Sequence, residues 1–558
     1  MGDIPIAGSA FHALDRPRAG HARARPLTVR QEQSPIDLTV MLRERPGAPT
    51  VQQTLVWVHS QGPHRSKTRE DALASQLSYA APDRDRVVAW ARASGMQLVA
   101  EDPTTRRLTL RAPATRAASL FGVRLEQFRH LQPSGTTVEY RGHLGPVRLP
   151  AAIADAVEGV FGLDDRPVAS PRLRGLSTRR PGVVSYDPPE IARVYRYPRL
   201  PNGGEGVHLV AGMIELGGVT HGADVKAAFA RLGLHPPAIV HVPVDGAVAV
   251  ADPDGADVEV ALDYQVIGTI LRSMAPKAQL TIVSYDAPNS ERGFIDAAAT
   301  AASDRRLHPA ATSISWGSSE DNFSLRGMRA LDATFANGSV RGLTYSAAAG
   351  DGGSMDNRFD GMQHPEFPAS SPHVWSCGGT TLLATRDGIL SETVWNEIDR
   401  GQGAAGSGVS GVFAPPGYQV RAGIRPRSAN TGRSGRGIPD GSGVADPVTG
   451  WNVLALGRMR TTGGTSAVAP MYTALWTLIA ALRGERIGLP HPALYAARGR
   501  DFTDITRGDT GGPYAAHRGW DAASGWGSPN GVAIARTLGA RSLGARAPRR
   551  GAEDSLAL

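Results

Sequence analysis

Between residues 207 and 348, short apolar runs alternate with stretches of helical periodicity, and that alternation restricts the fold more than any other feature of the chain. Residues 207–214, 279–284, 310–315 and 343–348 read as strands, and 224–232, 257–272 and 325–336 as helices. Strands that lack polar alternation are covered on both faces, and a helix between successive strands returns the chain across the sheet. The predicted architecture is therefore α/β, a doubly wound, mostly parallel sheet with helices on both faces. In such sheets the chemistry gathers at the carboxyl ends of strands. Glu215, Trp316 and Asp351 all stand at such ends.

The rest of the 558-residue chain divides around this block. Residues 1–30 are rich in Ala, Arg and Pro and read as disordered. Residues 31–165 form a compact unit with a β-α-β-β-α-β rhythm, predicted as a ferredoxin-like α+β sandwich. Its strands are expected at 36–42, 96–100, 107–111, 125–128 and 138–140, with a closing helix at 151–160, and it holds no cluster of catalytic residue types. Residues 166–183, rich in Pro, Arg and Ser, read as an exposed linker. The α/β domain follows at 184–540, and 541–558 form a loose tail. The net charge of +8 comes from arginines spread along the chain, which argues against a nucleic-acid face. The single cysteine, Cys377, excludes an intrachain disulfide and argues against zinc–thiolate sites. No apolar run reads as long enough to span a membrane, and residues 1–20 lack a clear apolar signal core.

The stretch TTGGTSAVAP at 461–470 sets a serine at the mouth of a helix. Gly463 and Gly464 allow a tight turn, and Pro470 falls in the first helical turn, where a missing N–H costs little. Ser466 between them reads either as a helix cap or as a nucleophile whose carbonyl target meets free N–H groups. On the helix beginning near 257, Glu259 and Asp263 are four residues apart and project from one face, without a basic residue at neighbouring helical spacings. They are either a solvated face or a coupled acid pair that titrates as a unit. Asp351 emerges from SAAAGDGG, where an Asp-Gly turn is the plain alternative.

Taken in order, these segments carry a resemblance. GTSAxxP resembles the nucleophile segment of subtilisin-like serine peptidases. EVALD at 259–263, SISWG at 313–317, AGD at 349–351 and GTSA at 464–467 follow the order found in the sedolisins, the serine-carboxyl peptidases. FPASSP at 367–372, GGTTL at 378–382, ETVWNE at 392–397, GSGVSGVF at 406–413 and GIPDGSGVADPVTGW at 437–451 agree with it. The resemblance covers about residues 31–530 and makes the first domain look like an activation propeptide of the kumamolisin-like members.

The resemblance implies Ser466 as nucleophile, Glu259 as its general base, Asp263 as the group orienting Glu259, and Asp351 as an acidic oxyanion residue, with Glu215 and Trp316 supporting the acid pair. It implies one structural Ca2+ held by the Asp504 and Asp521 carboxylates and the carbonyls of Ile505, His517 and Gly519. Histidine at 517 departs from the family's usual glycine, where only a carbonyl is needed. It further implies a secreted, monomeric, acid-active endopeptidase made as a self-processing zymogen, with peptides as substrates, its own propeptide as inhibitor, and neither nucleic acid nor membrane as partner. Tripeptidyl exopeptidase action and a non-catalytic peptide-binding role remain open alternatives. A histidine-based subtilisin does not fit: Thr220-His221-Gly222 has no Asp-Ser/Thr-Gly ahead of it, and Asp509-Thr510-Gly511 follows the serine.

Overall fold

A computed structural model describes residues 4–5, 25–60, 76–131, 137–175, 184–253, 255–358 and 360–540. The expected tail at 541–558 and the linker residues 176–183 lie outside these.

The N-terminal domain is built on β1 (Pro35–Leu42), α1 (Ala81–Ala93), β2 (Gln97–Asp102), β3 (Arg107–Pro113), α2 (Ala114–Leu120) and β4 (Val157–Phe161). The antiparallel sheet runs β2-β3-β1-β4. That is the ferredoxin-like order, with β1 between β3 and β4. Three expectations need correction. The closing segment 151–160 is not one helix: Ala151–Ala154 makes a single turn, and the chain then extends as β4. Val157, Val160 and Phe161 are buried there against β1, and tertiary pairing outweighs the helical spacing. The strands expected near 125 and 138 instead form a separate hairpin, Arg124–Leu131 with Thr137–Leu144. The expectation of disorder over 1–30 also fails where those residues are described: Ile4–Pro5 pairs with Arg148–Leu149, Arg25–Pro26 pairs with that hairpin, and Val29–Gln33 is a helix capped by Thr28.

The second domain carries β5 (His208–Glu215), β6 (Ala238–Pro243), α3 (Ala256–Met274), β7 (Gln279–Asp286), α4 (Glu291–Ser303), β8 (Ala311–Ile314), α5 (Leu325–Val340), β9 (Thr344–Ala348), β10 (Trp375–Thr385), β11 (Gly388–Val394), β12 (Gly441–Val444) and α6 (Val468–Arg483). Its sheet runs β6-β7-β5-β8-β9-β10-β11, with β12 also on β10. All its pairings are parallel except that of β10 with β11. Helix α6 and the residues just before it, Thr465–Arg483, have the length and composition of a membrane span, with hydropathy 1.4, but 89% of that window is buried inside the protein. The expectation of no such run is corrected: the helix is apolar because it lies under the sheet, packed on α3.

The two domains share a face. Met41 and Phe161 of the first belong to the apolar cluster built on α4 and α5 of the second. Asp296 on α4 accepts from Thr39 and pairs with Arg107 of the first domain. From this face the chain 166–175 crosses to the carboxyl ends of the parallel strands.

Candidate active site

Three carboxyls converge in the interior. Glu259 and Asp263 on α3 are each 0% exposed, which rules out the solvated-face reading of that pair. Glu215, at the end of β5, accepts from Trp316 Nε1 at 2.8 Å. Burial pushes Asp263 up to about 8, against the hydroxyls of Ser315 and Ser313. Burial and then repulsion by Asp263 raise Glu259 well above the ordinary carboxyl range, while the Ser466 hydroxyl works the other way. Burial and Asp263 likewise raise Glu215. The set therefore accommodates one negative charge more readily than two or three.

Ser466 lies in the 3₁₀ turn Thr465–Ala467 that leads into α6. Its hydroxyl donates to Ser315 O at 3.2 Å, and Ser315 Oγ donates to Asp263 Oδ1 at 2.8 Å, so Ser315 joins the serine to the acid pair. Neither Glu259 oxygen has a hydrogen-bond partner. A rotation of the Ser466 hydroxyl from Ser315 toward Glu259 would give it one.

Asp351 follows β9 and is 2% exposed. Its Oδ1 accepts from Thr465 N at 2.8 Å and Thr465 Oγ1 at 2.9 Å, while Oδ2 has no partner. Burial raises its pKa, opposed first by Arg174, then by Thr465, then by Arg172. Gly464, at φ +98°, is required here: a Cβ would collide with Asp351 Oδ2 and with Arg172 O together. A carboxyl oxygen and a backbone carbonyl thus flank one glycine.

That carbonyl belongs to the linker, whose described residues 166–175 are bound rather than exposed as its composition suggested. Ser170 and Pro171 pair antiparallel with Gly317 and Trp316, and Arg174 and Gly175 with Gly463 and Thr462. Arg172 N donates to Ser315 O at 3.0 Å, and Ser466 N donates to Arg172 O at 2.9 Å. The peptide bond between Arg172 and Leu173 is therefore presented to Ser466 with its carbonyl on the serine N–H. The Arg172 Nε meets Glu366 Oε1 at 2.6 Å, with Asp356 at 3.8 Å, and Glu366 is 2% exposed. Burial pushes Glu366 up, to about 8, and the guanidinium pulls it back. A guanidinium keeps its proton, and a neutral Glu366 would leave this buried cation with only the more distant Asp356, so the occupied pair is ionised.

Sequence reasoning found Ser466, Glu259, Asp263, Asp351, Glu215 and Trp316, and all six meet around this linker. It missed Ser315, Thr465, Glu366 and the linker's own role. The signal for Glu366 was an acid directly before the FPASSP phrase.

The predicted metal residues lie apart from this site, in the loops around 504 and 521. Asp504 Oδ2 accepts from Gly519 N, and Asp521 Oδ2 from His517 N, both at 2.9 Å. Asp521 Oδ1 accepts from Ala523 N and Ser524 N, and Ile505 is buried in the core beside Asp504. Two carboxylates are thus held to one loop. Among the described residues no group of three or more His, Cys, Asp or Glu side chains gathers as for a metal.

Comparison with known proteins agrees with the geometry. Residues 27–166 match the family model described as "Pro-kumamolisin, activation domain". Kumamolisin of Bacillus sp. (strain MN-32) is 38% identical over 550 residues, spanning 93% of this chain and 95% of that protein. Sedolisin of Pseudomonas sp. (strain 101) is 28% identical, covering 69% of this chain and 67% of its own, and tripeptidyl-peptidase sed5 of Aspergillus fumigatus is 27% identical, covering 92% and 96%. The solved structure of Pseudomonas sedolisin, a serine-carboxyl proteinase complexed with two molecules of pseudo-iodotyrostatin, superposes with a TM-score of 0.55 at 26% identity, covering 64% of this chain and 98% of that one. With its buried carboxyls around a helix-mouth serine and its N-terminal activation domain, the chain belongs to the sedolisin family of serine-carboxyl peptidases and is of the kumamolisin type.

Proposed function

We propose that the protein is a secreted, acid-active endopeptidase that cuts after arginine and activates itself by cutting its own linker between Arg172 and Leu173. The observation that carries this reading is Arg172 O on the Ser466 N–H, with the linker paired to the protein on both sides of that point. The chain runs through the cleft in both directions, as an endopeptidase requires. A tripeptidyl peptidase has to stop its substrate three residues before the cut.

In this reading Ser466 Oγ attacks the Arg172 carbonyl carbon while Glu259 takes its proton. Asp263, oriented by Ser315, shares a single negative charge with Glu259, which carries it when acting as the base. As the tetrahedral oxyanion forms, Ser466 N–H and a protonated Asp351 Oδ2 donate to it, the kind of donor worth ~3–4 kcal/mol in the transition state. Glu259 then passes the proton to the Leu173 nitrogen, the C–N bond breaks, and water hydrolyses the acyl-serine by the reverse proton route. An ionised Asp351 would oppose the oxyanion, which confines activity to acid pH. Glu366 and Asp356 form the pocket for the arginine side chain. Asp504 and Asp521, with the Ile505, His517 and Gly519 carbonyls, supply hard oxygen donors suited to Ca2+, which would stabilise the loops rather than act in catalysis.

Acidification of the purified zymogen to about pH 4, within the ordinary carboxyl range, followed by mass analysis, tests the reading. A mature chain beginning at Leu173, absent in Ser466→Ala and Glu259→Gln, is expected. A first cut elsewhere in the linker, or cutting in Ser466→Ala, refutes it.

A further inference from the structure

The linker is gripped again upstream of the bond at Ser466, by a side chain that the chemistry does not use. Asn289 Oδ1 accepts from both Val168 N and Ala169 N at 3.1 Å, and Asn289 Nδ2 donates to Ala169 O at 2.7 Å. Ala169 and Val168 are the fourth and fifth residues before the Arg172 carbonyl. All three bonds go to main-chain atoms, so the contact reads the backbone of any peptide rather than a particular side chain.

The clamp is rigidly mounted. Asn289 lies between β7 and α4, next to Ser290, whose hydroxyl caps α4 by accepting from Gly293 N. Ala287 N donates to Glu215 O at 2.9 Å, tying the same loop to the end of the strand that carries an active-site carboxyl. Beside the clamp, Val168 is 3% exposed and joins the apolar cluster of Leu216, Val244, Ala287 and Trp316, all from the second domain. A polar bracket for backbone and an apolar seat for one side chain therefore lie together at a fixed distance from Ser466.

We propose that Asn289 is a substrate-positioning residue of the peptidase: it binds the main chain of the fourth and fifth residues before the scissile bond, so that substrates reaching that far are cut faster than those ending at the third. The inference rests on the reading that the peptide bond between Arg172 and Leu173 is the one presented to Ser466. It also gives the endopeptidase reading a physical basis. A clamp beyond the third residue rewards a chain that continues past the point at which a tripeptidyl peptidase must close.

The test uses the acid-matured enzyme and three N-acetylated, internally quenched peptides: Ser-Pro-Arg-Leu-Gln-Gly, the same peptide extended at its N-terminus by Val-Ala, and the extended peptide with N-methyl-alanine in place of alanine. Extension should raise kcat/KM about tenfold, the change that a few net hydrogen bonds of ordinary strength produce. N-methylation, which removes the alanine N–H, should reverse most of that gain. In Asn289→Ala the gain from extension should disappear, as a ratio measured within the one variant. Equal rates on short and extended peptides in the wild type overturn the proposal, as does a full extension gain in Asn289→Ala. If that variant fails to mature, the N-methyl peptide on the wild-type enzyme decides alone. Product masses separate the two levels: cutting after Arg without an extension effect defeats the clamp only, whereas cutting at another bond defeats the underlying register.

Discussion

Replacing Glu366 by glutamine should largely remove the enzyme's ability to distinguish arginine from citrulline before the cut bond. Citrulline keeps the length and planar end of arginine and loses its charge, so the ratio of kcat/KM for the two isolates the electrostatic contribution. Glu366 is 2% exposed, and the Arg172 side chain it meets at 2.6 Å is 12% exposed. At such a site, removing one partner of a hydrogen-bonded charge pair costs about 2–5 kcal/mol, much of it from the charge left unpaired. Asp356, 3.8 Å from the same guanidinium, remains in the variant, which puts the loss at the low end. A loss of ~2 kcal/mol is a factor of about 30. Peptides that differ only in Arg or citrulline, assayed under acid conditions on the wild type and on Glu366→Gln, should show the selectivity ratio falling by that factor. Glutamine preserves the shape of the pocket, so misfolding would lower both rates and leave the ratio unmoved. An unchanged ratio, with the rate on the citrulline peptide preserved, would refute the assignment of Glu366 as the arginine-binding acid.

Other consequences follow from the same geometry. Arg174 Nε stands 4.0 Å from Asp351 Oδ2 and opposes its protonation, so Arg174→Gln should move the alkaline limit of self-processing upward, measured as the fraction of zymogen cut after incubation across a pH series. Asp351→Asn keeps a donor without the titration; it should retain part of the activity and lose part of the alkaline decline in the mature enzyme's pH profile. The Ser466→Ala chain should unfold at progressively lower temperature as pH rises from about 6 to 9. Asp263, raised to about 8, and Glu291, raised to about 7, both by burial, bind their protons more tightly folded than unfolded; the stability they give is complete below ordinary carboxyl pKa values and is lost as pH passes through the raised ones. Chelation should lower Tm by about 5 °C or more if a metal is held by the folded state alone, and Asp521→Ala should mimic it; an unchanged Tm in a metal-free preparation would exclude the site.

What the sequence could reveal depended on how local the responsible physics was. The order of β5, α3, β8 and β9 was readable because strands covered on both faces and the helices between them carry their period in the residues themselves. The helix-mouth serine was readable because glycines, serine and an apolar helix are contiguous. The acid pair on α3 was visible as a spacing, but whether water reaches it is decided by α6 and the residues before it, two hundred positions away. Strand β4 was misread for the same reason: its partner β1 lies more than a hundred residues earlier, and four residues of real helix precede it.

The linker shows the limit most clearly. Its composition is that of an exposed, flexible tether, and its arginines look like solvated charge. In the folded chain those features have a different use. Residues 170–175 lie extended between Trp316–Ser319 and Arg458–Gly463, with Leu173 packed against the core, while Arg172 finds Glu366 and Arg174 finds Asp351. Each arginine is thereby assigned by position relative to one carbonyl. In the proposed mechanism Arg172 directs the bond to Ser466, and Arg174, two residues further on, holds Asp351 toward its ionised form. On the proposed reading, the same short segment is bound as a substrate and stays uncut until acid protonates Asp351.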